Sequence, residues 1–447
     1  MQKIKESIGR YFGTLDYILL FLALACSAFG LVLIFSATYA MDGGSAKYIA
    51  VQSIAIVLGL VGFVIVSSID IEKYTPMWRL VYIINIVFQL SLVVFGYENG
   101  GNKSWLRFGS LGIQPAELGK LLFVFTFAKH INLLRYKLNK VSSLVQFGLH
   151  LILMMAAIIL PSKDVGMSLP YVFIAVVMLF AAGLSLKWFA GGIILTCAAV
   201  PILWQSLGTF QRNRILVLFN PSVAPDTYWQ QQQSRIAIGS GKLLGAGFLK
   251  GNETQNNMLP AKQTDFIFGV AGEEWGLVGC LVIVALLMAL IIRIYYIAFH
   301  APSQISSLIC VGIGSMLLFQ TFDNIFMCLG IGPVMGLTLP LFSYGGSSVV
   351  TNYLAIGIVV GISQRSKRHR RHGLDGAEEL VVETEKQKLR SFADKAKQLL
   401  QQLKKKKSTM IYCENRYVCK ERTCFWDNTK EGCYEYCRCI WRICRQV

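Results

Sequence analysis

The sequence predicts an all-α fold: a polytopic helical membrane protein of about ten transmembrane helices, with a large extracellular loop between helices 7 and 8. The first observation is composition, because 54% of the 447 residues are hydrophobic, only 15% are charged, and the mean hydropathy is +0.52. Soluble domains carry about 25% charged residues. The other two observations are the length of the apolar segments and the distribution of basic residues between them.

The apolar segments are long enough to cross a bilayer, which takes roughly 20 residues. Ten such segments follow one another along the chain: 17–39, 48–68, 78–95, 116–134, 144–160, 167–183, 188–208, 275–298, 304–329 and 340–362. The first is too long for a secretory signal and lacks a cleavage site, so it is interpreted as a membrane span.

Basic residues concentrate in alternate short loops, which the positive-inside rule assigns to the cytoplasm. The amino terminus, the loops near Lys73 and Lys137, and the run from Arg365 to Arg371 all fall on that side, so both termini are predicted to be cytoplasmic. A net charge of +18 is also typical of nucleic-acid binding. With this hydrophobic content, an anionic membrane face is the favoured explanation, and no nucleic acid is expected.

Three regions are predicted. Residues 1–363 form the membrane domain, whose segment 209–265 is polar, glycine-rich and long for a connector. Residues 364–407 form a basic, helical cytoplasmic tail, either solvated or attached to anionic lipid heads. Residues 408–447 form a cysteine-rich extension of unknown role. Its spacing only partly fits a zinc site, and disulfides are rare in the cytoplasm.

Several sequence blocks carry a resemblance to a known family. NKSWLRFGSLGIQPAELGK (102–120), QTDFIFGVAGEEWGLVG (263–279) and LPLFSYGGSS (339–348) resemble the signature blocks of the SEDS proteins RodA, FtsW and SpoVE, in the same order. The resemblance implies a glycosyltransferase that polymerises lipid II into glycan strands on the outer face of the bacterial cytoplasmic membrane. It favours a RodA-like role in elongation, with division and sporulation roles as the alternatives within the family.

Such a reaction needs a base for the attacking sugar hydroxyl, and positive charge or a metal for the leaving pyrophosphate. Asp265 matches the family's essential aspartate and is the predicted base. It ends a polar segment and precedes apolar residues, so partial desolvation is expected to raise its pKa. A carboxylate that only caps a helix is the structural alternative. A divalent cation (Mg or Mn) is left open.

Further residues are predicted to bind substrate because they match family blocks. Trp105 is either an interfacial anchor or a wall of the glycan site. Glu117 and Lys120 lie on one helix face, as a structural ion pair, as a polar wall of the lipid II cavity, or as both. The remaining candidates are Gln114, Asp164, Arg212, Arg214, Ser343 and Ser347. The backbone of 342–348 is either a phosphate site at a broken helix end or a tightly packed segment.

The resemblance also implies partners: lipid II as substrate, a class B penicillin-binding protein as the cross-linking enzyme, and other membrane proteins of the elongation complex. Two other functions compete with catalysis. A lipid II flippase or transporter would place ionisable residues through the middle of the spans, where Asp323 is the unusual case. A pure scaffold would need no polar cavity facing outward.

Overall fold

A computed structural model describes residues 12–41, 44–99, 102–108 and 111–368 of the chain. The helices are α1 Tyr17–Tyr39, α2 Gly44–Ser68, α3 Trp78–Phe95, α4 Pro115–Leu133, α5 Val141–Ser162, α6 Leu169–Ala181, α7 Leu186–Ser206, α8 Thr209–Leu216, α9 Pro225–Ser240, α10 Asn252–Gln255, α11 Ile267–Phe299, α12 Gln304–Cys328 and α13 Gly346–Arg368. The strands are β1 Gly96–Asn99, β2 Asn102–Phe108 and β3 Leu111–Ile113. The predicted tail and cysteine-rich extension lie outside the described residues, except for the first residues of the tail.

The prediction of a polytopic helical membrane protein is confirmed. By length and composition, seven helical segments of the described chain could cross a membrane, and two shorter apolar helices, Gly166–Ala181 and Leu186–Pro201, lie at predicted spans. The remaining predicted span is α4, which carries Glu117, Lys120 and Lys129. All ten predicted segments therefore coincide with helices.

The helices bury polar residues and expose apolar ones. Gln52, Asn85 and Asn324 are fully buried, whereas Val57, Val87 and Ile292 are more than half exposed. This is the arrangement that a hydrocarbon solvent favours, since polar side chains are costly there unless they find partners inside the bundle. At the centre, α12 packs against α4, α6 and α11.

A small antiparallel sheet joins α3 to α4, which the all-α prediction did not anticipate. Its strand order is β1–β2–β3, and Tyr97 of β1 pairs with Trp105 of β2. Alternate residues of β2 differ in burial: Ser104 and Leu106 are buried, whereas Lys103 and Arg107 are exposed. The sheet thus carries residue 105 to the edge of the bundle.

The long segment 209–265 is also more ordered than the predicted polar loop. It contains α8, α9 and the short α10, and α9 packs against α11. Ser234 of α9 donates a hydrogen bond of 2.9 Å to the carbonyl of Cys328 at the end of α12. The segment is therefore part of the packed structure rather than a free connector.

Helix α11 is interrupted at Gly276, whose φ of 65° and ψ of −160° are not helical. Backbone groups freed by the break pair with the segment before α10: Leu277 N donates to Lys242 O at 2.9 Å, and Ala246 N donates to Glu273 O at 2.9 Å. Residues 277–299, about 35 Å of helix, are then left to cross the membrane, in agreement with the span predicted at 275–298.

Candidate active site

Asp265 lies in a tight turn directly before α11. The carbonyl of Ala261 accepts hydrogen bonds from the backbone N–H groups of Thr264, Asp265 and Phe266, at 3.0, 3.1 and 3.2 Å. Ala261 itself has a φ of +45°, which is uncommon for a residue other than glycine. The polar segment ends at this turn, because the next residue, Phe266, is buried.

Two other segments, residues 343–344 and helix α12, hold this turn by its carbonyl groups. Tyr344 N donates to Gln263 O at 2.8 Å, Ser343 Oγ donates to Thr264 O at 2.6 Å, and Asn324 Nδ2 donates to Asp265 O at 2.7 Å. Asn324 also donates to Leu337 O at 2.9 Å. The backbone on both sides of the Asp265 side chain is therefore fixed, which is the preorganisation that a catalytic group requires.

Gln52 of α2 fixes the partner segment in turn. Its Nε2 donates to Ser343 O at 3.1 Å, and its Oε1 accepts from Gly345 N at 3.2 Å. The backbone N–H groups of Tyr344 and Gly345 are thus already hydrogen-bonded within the protein. Of the two interpretations of this glycine-rich block, the geometry favours packing at these two groups.

A cavity of about 350 Å³ opens in front of Asp265. Six of the ten predicted site residues line it: Trp105, Gln114, Glu117, Asp164, Arg214 and Asp265. They come from β2, α4, the turn after α5, α8 and the Asp265 turn, so residues 160 positions apart in sequence meet in one space. Cavities of this size with convergent polar groups are typical of ligand sites.

Among the described residues, Arg214 is the one basic side chain that lines this cavity. Its Nη1 lies 3.4 Å from Asp164 Oδ1, which also accepts a hydrogen bond of 2.9 Å from Gly166 N. Burial raises the pKa of Asp265 to about 6, and a hydrogen bond from Thr264 and the charge of Arg214 hold it from rising further. The expectation of a pKa raised by desolvation therefore agrees with the structure.

Glu117 and Lys120 form a buried ion pair, with Lys120 Nζ 2.7 Å from Glu117 Oε1. Gln320 Nε2 approaches Glu117 Oε2 at 3.3 Å. Glu117 lines the cavity whereas Lys120 does not. Glu117 is therefore part of a buried ion pair and also of the cavity wall, and Lys120 lies behind it as its partner. Binding of lipid II by either residue stays a prediction.

The other predicted residues lie outside the cavity wall. Arg212 Nη2 donates to the carbonyl of Gln205 at 2.6 Å. Ser347 Oγ accepts a hydrogen bond of 3.1 Å from Gln114 N, and Ser343 holds the Asp265 turn. The two serines contact the backbone around the site, and the structure does not bring Arg212 into it.

Sequence reasoning missed three contributors. Asn324 holds the turn directly, and Gln52 holds the 343–345 segment that contacts it. Ser104 lines the cavity with a buried hydroxyl that has no hydrogen-bond partner among the described residues. An amide side chain inside an apolar span is the signal that could have identified the first two, because such a group needs an internal partner. Within the described part of the chain, no group of three or more His, Cys, Asp or Glu is arranged to hold a metal ion.

Comparison with known proteins is consistent with this geometry. The family model for FtsW, RodA and SpoVE, described as "Cell cycle protein", matches residues 16–368. The chain is 34% identical over 355 residues to the peptidoglycan glycosyltransferase MrdB of Escherichia coli, covering 79% of this chain and 94% of that protein. It is 32% identical over 376 residues to a probable peptidoglycan glycosyltransferase FtsW of Geobacter metallireducens, covering 81% and 97%.

Solved structures share the fold. A peptidoglycan synthase complex that coordinates polymerization and crosslinking contains a chain with a TM-score of 0.67 and 28% identity, covering 79% of this chain and 98% of that one. The rod shape determining protein RodA of Thermus thermophilus gives a TM-score of 0.58 at 26% identity, covering 78% and 97%.

Proposed function

This chain belongs to the FtsW, RodA and SpoVE family, and on that premise we propose that it is a peptidoglycan glycosyltransferase that polymerises lipid II into glycan strands. Its relatives named as peptidoglycan glycosyltransferases match it over nearly their whole length. The single observation that carries the proposal at residue level is Asp265. Two other segments hold the backbone of its turn, and its side chain lines a polar cavity.

In this mechanism Asp265 is the general base. It takes the proton of the acceptor sugar hydroxyl while that oxygen forms a bond to the anomeric carbon of the donor sugar. The bond from this carbon to the pyrophosphate oxygen breaks, and polyprenyl pyrophosphate leaves with the electron pair. A base with a pKa near 6 is ionised at neutral pH and still basic enough to accept a proton in the transition state.

The cavity side chains have complementary roles. Arg214 supplies positive charge toward the leaving pyrophosphate, and Asp164 orients its guanidinium from 3.4 Å. Trp105 offers an aromatic face to a sugar ring, and Gln114 offers polar groups to the glycan. Glu117 contributes to the cavity wall, with its carboxylate already paired with Lys120. No step is routed through a metal ion.

We place the protein in the bacterial cytoplasmic membrane with the cavity outward and both termini in the cytoplasm, because basic residues cluster at the other end of the bundle. The solved complex that couples polymerization to crosslinking supports a class B penicillin-binding protein as partner. A role in elongation, with other membrane proteins of that complex, is the assignment that the sequence blocks favour.

The test is polymerisation of labelled lipid II by the purified full-length chain, with and without the partner. Asp265→Asn is expected to lower the rate by about 10²–10⁴-fold, the usual contribution of a general base. The matched control is Asp226→Asn, which removes an exposed carboxylate from the same segment. It is expected to retain the wild-type rate.

Equal polymer from wild type and Asp265→Asn would overturn the assignment of the base. If the wild type moved lipid II across vesicle membranes and formed no polymer, the glycosyltransferase function would be overturned and a transporter favoured. Folding of each variant is checked by its thermal transition in detergent, so that a loss of rate can be separated from a loss of structure.

A further inference from the structure

A second cavity lies apart from the site above and shares no lining residue with it. It is a groove of about 820 Å³, formed where α1 begins and where α2 and α13 end. The catalytic turn lies beside the start of α13, about 35 Å of helix away. Glycines allow the two long helices to pack closely here, since a Cβ on Gly361 would lie 2.8 Å from Ser67 O.

Charges in the groove are mostly positive. Lys73, Arg365 and Arg368 line it, against one carboxylate, Asp70. Arg365 Nε lies 3.6 Å from Asp70 Oδ1 and Arg365 Nη1 donates to Ile69 O at 2.9 Å, but among the described residues Arg365 Nη2 has no hydrogen-bond partner. The charged side chains that line the groove therefore sum to a net charge of +2, from three basic groups and one carboxylate, so the groove is complementary to an anion.

A buried amide provides a second, independent observation. Gln364 lines the groove and is only 2% exposed, and its Nε2 has no hydrogen-bond partner in the part of the chain that the structure describes. A buried donor without an acceptor is costly and rare in folded proteins. An acceptor oxygen of a ligand in the groove would satisfy both Gln364 Nε2 and Arg365 Nη2.

The rest of the wall is apolar. Leu20, Leu60, Phe63 and Val64 line the groove, and Val64 is 48% exposed on the outer surface of α2. An inorganic anion would use only the polar part. A ligand with a phosphate at one end and hydrocarbon at the other would use both, and basic pockets between transmembrane helices are known to bind anionic lipid headgroups.

We propose that this groove is a binding site for an anionic phospholipid of the membrane leaflet at the basic end of the bundle. The phosphate lies between Arg365, Arg368 and the amide of Gln364. One acyl chain runs along Leu60, Phe63 and Val64.

The test is native mass spectrometry of the full-length protein in detergent, with phosphatidylglycerol and phosphatidylcholine in equal amounts. The wild type is expected to retain phosphatidylglycerol preferentially. Arg368→Gln is expected to lower its retention about fivefold, the ratio that corresponds to one basic residue near an anionic lipid. Val64→Trp keeps every charge and fills the apolar part of the groove, and it is expected to lower retention of the same lipid.

The matched control is Lys140→Gln, an exposed basic residue in the loop between α4 and α5. It changes the net charge equally and is expected to leave retention unchanged, as is deletion of residues 2–11. Equal retention of both lipids, or an equal loss for Lys140→Gln and Arg368→Gln, would show attraction without a site. Displacement of the lipid by inorganic phosphate would show a phosphate site, and a loss of lipid after the deletion would show that basic residues among 2–11, rather than the groove, retain it. Each of these outcomes would overturn the proposal.

Discussion

Asp265 and Glu273 lie close together in the chain but use their carboxylates in opposite ways. Glu273 is buried and fully hydrogen-bonded: Oε1 accepts from Glu253 N at 2.7 Å, and Oε2 accepts from Thr254 N at 2.9 Å and from Thr254 Oγ1 at 2.6 Å. Glu274 beside it accepts from Ser36 and Gln255. Their side chains close the segment around α10 onto α11.

At Asp265 the hydrogen bonds go mainly to the backbone instead. The carbonyl groups of 263–265 are held by other segments, while the carboxylate lines the cavity. A carboxylate whose acceptor positions are filled by protein donors is stabilised as an anion and is unavailable to a substrate. We call a carboxylate of the Glu273 kind closed, and one of the Asp265 kind, which lines a cavity while its backbone is held, accessible.

The largest effect is expected at Glu117, which belongs to the closed class although it borders the cavity. Lys120→Met removes its buried partner and is expected to lower the free energy of unfolding by about 3–5 kcal/mol, because an unpaired buried charge remains. Thermal unfolding in detergent measures this. The double variant Glu117→Gln, Lys120→Met is the control and should recover much of the loss; a single variant as stable as wild type would contradict the classification.

Glu273→Gln comes next, as a test of the closed class itself. The amide can accept at one oxygen only, so a donor of Glu253 or Thr254 loses its partner, at a cost of about 1–3 kcal/mol in unfolding free energy. Activity should fall only in proportion to the folded fraction. A variant that keeps its thermal stability but loses its polymerisation rate would show that Glu273 belongs with Asp265, in the accessible class.

The pH dependence of polymerisation tests the accessible class. Asp265 acts as a base only when ionised, so its rate contribution is present above its pKa of about 6 and is lost as the pH falls through that value. The rate at pH 5 is expected to be about tenfold below that at pH 7. Asp226→Asn should give the same profile, and a rate that is flat between these pH values would exclude Asp265 as the titrating base.

The smallest effect is expected for Ser343→Ala, which removes one hydrogen bond to the Asp265 turn. Loss of one such hydrogen bond costs about 0.5–1.5 kcal/mol of folding free energy. If Ser343 positions the turn, kcat falls and KM for lipid II stays near the wild-type value. If it binds substrate, as the sequence predicted, KM rises instead. Ser347→Ala, which loses only the contact to Gln114 N, serves as the control.

The helices were predictable because each apolar segment has the length that a bilayer demands, independent of its neighbours. The sheet at 96–113 was not, because its alternation covers only a few residues around Trp105 and resembles an interfacial loop. The helices α8 and α9 were missed for a similar reason: their polar composition carries no apolar stripe, and α9 is held by contacts to residues such as Cys328, far away in sequence.

At the site, the choice of Asp265 as the base came from resemblance to a family and stays a prediction, and the expected rise in its pKa came from the apolar residues after it. The role of Ser343 could not be foreseen, since its acceptor, Thr264 O, is 79 residues away in the chain. Arg212 and Arg214 are two positions apart and looked equivalent. Only the helix geometry of α8 separates them, directing Arg214 to Asp164 and Arg212 to Gln205.

The break in α11 has a consequence for the range of sequences that this fold accepts. At Gly276 the backbone occupies a conformation that is essentially restricted to glycine, and a Cβ would also lie 2.4 Å from Gly245 N. Gly148, inside α5, has no atom within 4 Å of the same position. Two independent constraints therefore leave a single amino acid at 276, whereas 148 is open to substitution, so two glycines that look alike in the sequence differ completely in their tolerance to change.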